Sequence, residues 1–250
     1  MNWSRELKLA EQAALAAGRR LIDLRRSEIE VLAAEGRDIK LAADREAEAA
    51  ILEILRASQY GVLAEESGAH GMQSGELAWI VDPLDGSLNY SRGLPICCVS
   101  IALWRADQPL LGVIYDFNRD EMFQGIVGEG AWLNGAPIAT ASTERASQAM
   151  ATTGFAVKRD FAGDSLAAFI RLLQDFKKVR LLGSAALSLA YVACGRADAY
   201  AEDDILFWDI AAGVALVLAA GGQADIRDSP SVEWGKRARC ACRGFIWEKG

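Results

Sequence analysis

The spacing of apolar side chains along the chain predicts alternating helices and strands. Residues 3–26 carry apolar side chains every three or four positions, with charged residues on the opposite side, which is the pattern of an amphipathic helix. Short apolar runs bounded by turn residues predict strands. The predicted helices cover residues 3–26, 44–57, 164–176, 183–194 and 207–220. The predicted strands cover residues 60–64, 79–81, 95–104, 110–117, 122–127, 131–133, 148–153, 179–182, 196–201, 224–226 and 239–246.

The two halves of the chain differ in how these elements follow one another. Strands with short connections succeed each other between residues 95 and 138, and Asn134-Gly135 is a strong hairpin signal, so an antiparallel sheet is predicted there. The second half alternates strands with helices. The chain contains no internal repeat, low-complexity tract or clear linker. The pattern therefore predicts a layered α/β or α+β enzyme fold.

Composition and charge narrow the functional classes. The chain has 250 residues, of which 52% are hydrophobic and 24% charged, which suits a protein with a sizeable core. Its net charge of -7 argues against a protein that binds nucleic acid by neutralising phosphates. Charges interrupt every apolar run near the start, and none reaches the length of a membrane span, so neither a signal peptide nor membrane binding is expected. Five cysteines without a metal or disulfide spacing predict buried thiols in a reducing, cytoplasmic setting.

Candidate chemistry comes from acidic residues at the edges of apolar elements. Asp82 and Asp85 follow the apolar run 79–81, Glu65 follows the strand 60–64, and Asp44 and Asp209 lie near the starts of helices. Each position has a simple explanation, since a carboxylate is favoured at a helix N-terminus or on a solvated surface. Their repetition at element ends predicts instead that they converge.

Converging carboxylates repel one another, and bound cations relieve the repulsion. A close pair of like charges costs on the order of 1–4 kcal/mol at effective dielectrics between those of water and of a protein surface. Ligands that offer only oxygen select Mg²⁺ or Mn²⁺. The chain has one histidine, His70, which excludes a histidine-rich zinc site. A metal-dependent phosphatase site is the resulting hypothesis.

Five segments of the chain resemble motifs of the inositol monophosphatase family, in the same order along the sequence. The first signature alone, D-P-[IVL]-D-G-[TS]-x-[NK]-[FY], is fairly specific. The matching segments are residues 79–90 (WIVDPLDGSLNY) for that signature, 38–44 (DIKLAAD) for D-x-V-T-x-x-D, 64–67 (AEES) for G-E-E-S, 183–186 (GSAA) for G-[ST]-A-A and 208–213 (WDIAAG) for W-D-x-A-[AG]-G.

The resemblance implies a fold and an assembly. The fold implied is a layered α-β-α-β-α sandwich of the α+β class, formed by one unit over residues 1–250. Residues 1–145 would supply a helix pair and an antiparallel sheet, and residues 146–250 a mixed α/β half, with the active site between them. A homodimer is also implied.

The resemblance further implies roles for individual residues. Glu65, Asp82 and the Leu84 carbonyl would bind one Mg²⁺, Asp82, Asp85 and Asp209 a second, and Glu65 would contribute to a weaker third. Ser87, paired with Asp44, would help a metal-activated water to lose its proton for in-line attack, so Asp44, Glu65 and Ser87 form the predicted catalytic set. The phosphate and substrate contacts would come from Asp85, Gly86, Ser87, Gly183, Ser184, Ala185, Glu202 and Asp209.

The predicted function is Mg²⁺-dependent hydrolysis of a small phosphate monoester, an inositol monophosphate or a related polyol or sugar phosphate, with two or three ions bound and Mn²⁺ as a substitute. Inhibition by lithium is implied as well. Fructose-1,6-bisphosphatase, 3′(2′),5′-bisphosphate nucleotidase and histidinol-phosphate phosphatase activities remain alternatives, as does a non-catalytic regulatory binding protein. The chain departs from the family at Ser87, where threonine is usual, at an apolar residue in segment 38–44, and in the acidic run that begins at Glu202.

Overall fold

The computed structural model describes residues 2–26, 31–35, 38–58, 60–73, 75–155 and 163–247, with the side chains of 31 and 33–40 outside that description. The six helices of this part are α1 (Ser4–Leu24), α2 (Ala42–Leu55), α3 (Ser87–Ser91), α4 (Asp164–Gln174), α5 (Ala185–Ala193) and α6 (Phe207–Ala219). Its strands are β1 (Val31–Glu35), β2 (Asp38–Leu41), β3 (Gly61–Ala64), β4 (Gly68–His70), β5 (Leu77–Asp85), β6 (Cys98–Arg105), β7 (Gln108–Asp116), β8 (Glu121–Ile126), β9 (Gly130–Leu133), β10 (Ala136–Ile138), β11 (Met150–Thr153), β12 (Lys178–Leu181), β13 (Ala199–Leu206), β14 (Gln223–Asp228) and β15 (Gly235–Ala241).

The first half builds an eight-stranded sheet in the order β10-β9-β8-β7-β6-β5-β3-β4. Its strands from β5 to β10 pair antiparallel with their sequence neighbours, as predicted, whereas β3 pairs parallel to β5. The predicted hairpin is confirmed, because Leu133 pairs with Ala136 around Asn134-Gly135. Both turn residues have positive φ, as this type of two-residue turn requires.

The second half builds a five-stranded mixed sheet in the order β12-β11-β13-β15-β14. β11 pairs parallel to β12 and to β13, and β15 pairs antiparallel to β13 and β14. β13 therefore lies at the centre of this sheet, and β12 forms one of its edges.

The cores confirm the predicted order of five layers. One face of the eight-stranded sheet packs on α1 and α2, through residues such as Leu21, Ile51 and Trp79. Its other face packs on α5 and α6, and these two helices also cover one face of the five-stranded sheet. The remaining face of that sheet carries Ala151 and Ala199 and packs on residues from the end of α4. The fold is thus an α-β-α-β-α sandwich.

Several predicted boundaries differ from the structure, and the differences at β13, β5 and β15 affect the site or the second sheet. β13 continues to Leu206, so Glu202 lies inside a strand and does not follow one. β5 likewise includes Asp82 and Asp85 at its end. The last strand, predicted over residues 239–246, lies at Gly235–Ala241 because its register is set by pairing with β13 and β14. The ends of these strands are set by pairing with strands distant in the chain, so the local apolar pattern does not predict them.

Four of the five cysteines are buried, which agrees with small apolar side chains in the core, and Cys194 is partly exposed. Within the described ranges, no helix combines the length and apolar character needed to cross a lipid bilayer.

Candidate active site

The end of β5 forms the centre of the site. Side chains alternate along the strand, so Asp82 lies on the same face as Ile80, toward α5 and α6, while Trp79 and Val81 face α1 and α2. The pairing with β6 becomes irregular between Asp82 and Asp85, which oppose Ser100 and Cys98. This bulge brings two acids three residues apart to the same side of the sheet. Asp82 is 1% exposed, and its Oδ1 accepts a hydrogen bond of 3.0 Å from the Leu84 N–H.

Gly86 turns the chain from β5 into α3. Its φ of 91° is left-handed, and a Cβ at this position would lie 2.8 Å from the Ile96 carbonyl oxygen. A larger residue would therefore be strained in conformation and would also clash. The turn allows α3 to begin at Ser87.

Ser87 and Asp44 meet at this turn although they are 43 positions apart. Ser87 Oγ lies 3.1 Å from Asp44 Oδ1 and 2.9 Å from the Leu84 carbonyl oxygen. Asp44 is 3% exposed and lies in the first turn of α2, where its Oδ2 accepts a hydrogen bond of 2.6 Å from the Leu41 N–H. The predicted Ser87–Asp44 pair thus forms in the structure, and the hydroxyl also contacts the carbonyl of Leu84.

Glu65 and Asp209 join Asp82 from two other elements. Glu65 follows β3 directly, and its N–H donates to the Val81 carbonyl at 3.2 Å. Burial raises the pKa of Asp82 well above its ordinary value, and the charges of Glu65, Asp85 and Asp209 raise it further. Glu65 has the largest of these electrostatic effects, so the crowding of the two side chains favours the protonated form of Asp82.

Asp209 lies in the first turn of α6, and its pKa is likewise raised well above the ordinary value. Burial is the largest cause, followed by the charges of Glu65, Asp85 and Glu202, while a hydrogen bond to the backbone of Leu206 acts in the opposite direction. The acids predicted from separate segments therefore belong to one electrostatic cluster. We call Glu65, Asp82, Asp85 and Asp209 the acid cluster.

Asp85 is held by the N-terminus of α5. Its Oδ2 accepts hydrogen bonds from Ser184 Oγ at 2.5 Å and from the Ala186 N–H at 2.7 Å, and its Oδ1 accepts one from the Ala185 N–H at 3.3 Å. Cys98 Sγ lies 3.8 Å from Oδ2. Burial raises the pKa of Asp85 to about 6, and these hydrogen bonds limit the rise.

These contacts give two of the predicted substrate residues another partner. Ser184 and Ala185 donate to Asp85, and Ser184 Oγ also caps α5 by accepting from the Leu187 N–H at 3.2 Å. Gly183 packs near the turn, where Asn89 Nδ2 donates to its carbonyl oxygen at 3.2 Å and to that of Leu182 at 2.9 Å. All three residues thus border the end of β5, as predicted.

Glu202 approaches the cluster from the five-stranded sheet. It is 6% exposed, and its Oε2 accepts a hydrogen bond of 2.8 Å from Tyr200 OH. Its charge contributes to the raised pKa of Asp209. The carboxylate also lies against the backbone of Gly154, where a Cβ would come within 2.6 Å of Oε2.

The donor chemistry of this site fits a hard divalent cation, since its acids are buried or half-buried, crowded and offer oxygen alone. As the side chains stand, no three His, Cys, Asp or Glu groups among the described residues are arranged to enclose a metal ion. Asp85 shows one physical reason, because its carboxylate accepts hydrogen bonds from the N-terminus of α5. The acids fit Mg²⁺ by type and position, and the raised pKa values of Asp82, Asp85 and Asp209 indicate that the metal-free site disfavours their charged forms.

Sequence reasoning missed several residues beside the acids. Tyr200 and Gly154 contact Glu202, and Cys98 contacts Asp85. Ser100 lies opposite Asp82, is 1% exposed, and its Oγ has no hydrogen-bond partner. Of these residues, only Tyr200 could have been found from the sequence, because a residue two positions before Glu202 on a strand lies on the same face.

A cavity of about 690 Å³ lies elsewhere, between the start of β5, α6 and β14. Trp104, Phe207, Trp234 and Lys236 are among its lining residues, and none of the predicted site residues is. The acid cluster, and not this cavity, carries the candidate chemistry.

Comparison with known proteins agrees with this geometry. The sequence profile of the Inositol monophosphatase family matches residues 2–237. An inositol-1-monophosphatase of Synechocystis sp. is 38% identical over 248 residues, which are 97% of this chain and 86% of that protein. A protein of Xylella fastidiosa named Nus factor SuhB is 45% identical over 182 residues, which are 72% of this chain and 66% of that protein.

A solved structure of inositol monophosphatase from Anabaena (Nostoc) sp. has the same fold. It superposes with a TM-score of 0.84 at 40% sequence identity, over 98% of this chain and 93% of that one. The family profile covers every segment that supplies the acid cluster. The chain therefore belongs to the inositol monophosphatase family.

Proposed function

We propose that this protein is a Mg²⁺-dependent phosphatase that hydrolyses a small polyol or sugar monophosphate, with inositol monophosphate as the leading substrate. The observation that carries the proposal is the acid cluster, in which Asp82 and Asp85 are buried. Burial raises the pKa values of both, and the charges of Glu65, Asp85 and Asp209 raise that of Asp82 further. A site of this kind gains stability when a cation replaces its protons. The Ser87–Asp44 pair at the same turn supplies a hydroxyl and a carboxylate for proton movement.

The ions would be held by the residues that the family resemblance indicates. Glu65, Asp82 and the Leu84 carbonyl would serve one ion, and Asp82, Asp85 and Asp209 a second, with Glu65 contributing to a third. Bound Mg²⁺ supplies charge neutralisation for a phosphate and acidifies water. Mn²⁺ would substitute, because it shares the preference for oxygen ligands. Lithium would inhibit by competing for the second position.

The protein's own groups would orient the phosphate and move a proton. The N–H groups of Gly86 and Ser87 lie at the turn after β5 and would donate to phosphate oxygens. Asp44 would accept a proton through Ser87 Oγ, since the two atoms are already 3.1 Å apart. The alcohol part of the substrate would lie toward Gly183, Ser184, Ala185 and Glu202.

Hydrolysis of a substrate panel tests this proposal. Phosphate release would be measured with and without Mg²⁺ from inositol 1-phosphate, fructose 1,6-bisphosphate, adenosine 3′,5′-bisphosphate and histidinol phosphate. We expect Mg²⁺-dependent release, fastest from inositol 1-phosphate. Faster release from one of the other three would select the corresponding alternative activity. Absence of release from all four, with Mg²⁺ or Mn²⁺ present, would contradict the phosphatase assignment.

A second candidate function is binding to a macromolecule without catalysis. The observation that favours it is the name Nus factor SuhB, which is carried by relatives such as the one from Xylella fastidiosa. The net charge of -7 predicts that such binding would not be directed at nucleic acid. Stable capture of a protein partner by wild-type chain and by an Asp82→Asn variant alike, with no turnover of any ester, would favour this function.

The protein is also expected to form a homodimer in a reducing, cytoplasmic setting. Support for the dimer comes from β12, which is an edge strand of the five-stranded sheet and is mostly exposed. Its last residue, Leu181, is 52% exposed. Leu94, which follows α3 in the chain, is also exposed, at 51%. Asn89 of α3 donates a hydrogen bond to the carbonyl of Leu182, directly after β12. Light scattering would give the mass of two chains, and Leu181→Lys would shift it toward one.

A further inference from the structure

We infer that Tyr200 and Gly154 are positioning residues, which fix the carboxylate of Glu202 so that the site prefers phosphate esters with a neighbouring hydroxyl group. The inference rests on the proposed function, because it assigns the selectivity of that same site. It goes beyond that function by assigning the direction of the Glu202 carboxylate to Tyr200 and Gly154.

Tyr200 holds one oxygen of the carboxylate. Residues 200 and 202 lie on the same face of β13, and Tyr200 OH donates to Glu202 Oε2 at 2.8 Å. The tyrosine is fully buried in the core between α5, α6 and the five-stranded sheet, so its ring has little freedom. A hydrogen bond to an ionised acceptor is stronger than one between neutral groups, and it is directional.

Gly154 forms a wall on another side of the carboxylate. It follows β11, which pairs parallel to β13, and Thr153 Oγ1 donates to the Ala201 carbonyl at 2.6 Å. A Cβ on Gly154 would lie 2.6 Å from Oε2 and 2.8 Å from Oε1 of Glu202. Only glycine lets the backbone come this close, so wall and hydrogen bond together restrict the carboxylate to a narrow range of orientations.

The fixed carboxylate lies within electrostatic reach of the acid cluster, because its charge acts on Asp209. An ionised carboxylate has about four acceptor positions, so Glu202 can accept from a substrate hydroxyl as well as from Tyr200. A site built around a buried acceptor discriminates strongly against a ligand that lacks the matching donor. That discrimination depends on where the oxygen points, and this chain sets the direction with two residues that would not touch the substrate.

The test compares inositol 1-phosphate with phenyl phosphate, whose alcohol has no second hydroxyl. For Tyr200→Phe we expect kcat/KM for inositol 1-phosphate to fall about tenfold, since a hydrogen bond to a charged group is lost. Most of the fall should be in KM. For phenyl phosphate kcat/KM should stay within about twofold of wild type, because its turnover needs no contact with Glu202. Gly154→Ala should likewise lower kcat/KM for inositol 1-phosphate relative to kcat/KM for phenyl phosphate.

A matched control is Tyr115→Phe, which removes another tyrosine hydroxyl bound to a carboxylate, at 2.9 Å from Asp120 Oδ1, outside the site. Tyr115→Phe should leave the ratio of the two kcat/KM values unchanged. In a Glu202→Ala background, Tyr200→Phe should have no further effect on the ratio, because it acts through Glu202. Equal losses with both substrates, or an effect that persists without Glu202, would overturn the inference.

Equilibrium binding of the same two esters, measured by calorimetry, separates this inference from the proposed function. If the wild-type protein binds but does not hydrolyse them, the proposed function fails. A binding preference for inositol 1-phosphate that Tyr200→Phe lowers would still support the inference. Equal preference in wild type and Tyr200→Phe would overturn it, whatever the activity.

Discussion

Two walls of the site differ in the neighbours that they place around a buried carboxylate. In the acid cluster, four carboxyl groups from three segments lie beside one another, and the pKa of Asp82 is raised by burial and by its neighbours. In the second wall, which we call the hydroxyl wall, a single carboxylate, that of Glu202, is held by the neutral groups of Tyr200 and Gly154. The first wall places several acids beside one another, whereas the second orients one carboxylate by a hydrogen bond and a steric contact.

The difference indicates which wall is suited to a bound cation and which to recognition of a substrate. Crowded acids are stable when protonated or when a cation joins them, so the acid cluster is suited to binding metal. A carboxylate already fixed by a phenol and a backbone wall is suited to recognising a ligand. We therefore place the chemistry at the end of β5 and the selectivity on β13.

The largest effect is expected for the residue shared by both predicted ions. Asp82→Asn keeps the shape of the side chain but removes its charge, so Mg²⁺-dependent phosphate release should fall about a thousandfold, because each ion contributes several kcal/mol to transition-state stabilisation. Steady-state assays over a range of Mg²⁺ concentrations would measure it. Asp164→Asn, on the exposed first turn of α4, is the control and should be silent. Activity of Asp82→Asn near the wild-type level would remove Asp82 from the site.

The next effect concerns the hydroxyl beside Asp44. Ser87→Ala removes the group that lies 3.1 Å from Asp44 Oδ1, and kcat should fall about a hundredfold, as is usual when a proton-transfer group is lost. Ser91→Ala is a matched control in the same helix, because Ser91 Oγ bonds only to the Leu88 carbonyl at 2.9 Å. If both variants keep full kcat, the Ser87–Asp44 pair has no part in catalysis.

A smaller effect is expected for the residue that orients Asp85. Ser184→Ala removes a hydrogen bond of 2.5 Å to Asp85 Oδ2, and the Mg²⁺ concentration for half-maximal activity should rise about tenfold, as for other residues that orient a metal ligand. Ser188→Ala, in the same helix, loses only a bond to the Ser184 carbonyl and serves as the control. An unchanged Mg²⁺ requirement in Ser184→Ala would mean that α5 does not tune the ligand.

The smallest effect concerns stability without metal. The pKa of Asp85 is raised from 3.8 to about 6, so the folded protein keeps a proton that the unfolded chain has already released at pH 5. Stability of the metal-free protein should therefore fall by about 1 kcal/mol as the pH rises from about 5 to 8. Urea unfolding at several pH values, with chelator present, measures this slope. Added Mg²⁺ should stabilise more at pH 8 than at pH 5, and a metal-free stability that rises over this window would contradict the account.

The sequence was sufficient for most of the acid cluster and for the five layers. Glu65, Asp82, Asp85 and Asp209 follow or begin apolar elements, and such positions are visible in the local pattern. Side-chain alternation and turn chemistry likewise predicted the hairpin at Asn134-Gly135. These features are local, so one sequence contains them.

Features that depend on contacts between distant segments were not predicted. The extension of β13 through Glu202 is set by pairing with β15, in which Glu202 pairs with Ala238, 36 positions later in the chain. The turning of Asp85 onto α5 depends on donors about 100 positions away. The approach of Gly154 to Glu202 depends on the parallel pairing of β11 with β13. No periodicity or short motif encodes these distances.

Calorimetric titration of the metal-free protein with Mg²⁺, in two buffers of different ionisation enthalpy near pH 6.5, tests the central claim most directly. The claim is that protons now balance an acid cluster built for cations. We predict that Mg²⁺ binds with release of protons, and that Asp82→Asn and Asp209→Asn each weaken the binding and reduce the release. Absence of Mg²⁺ binding by the wild-type protein, or binding that neither substitution changes, would contradict it.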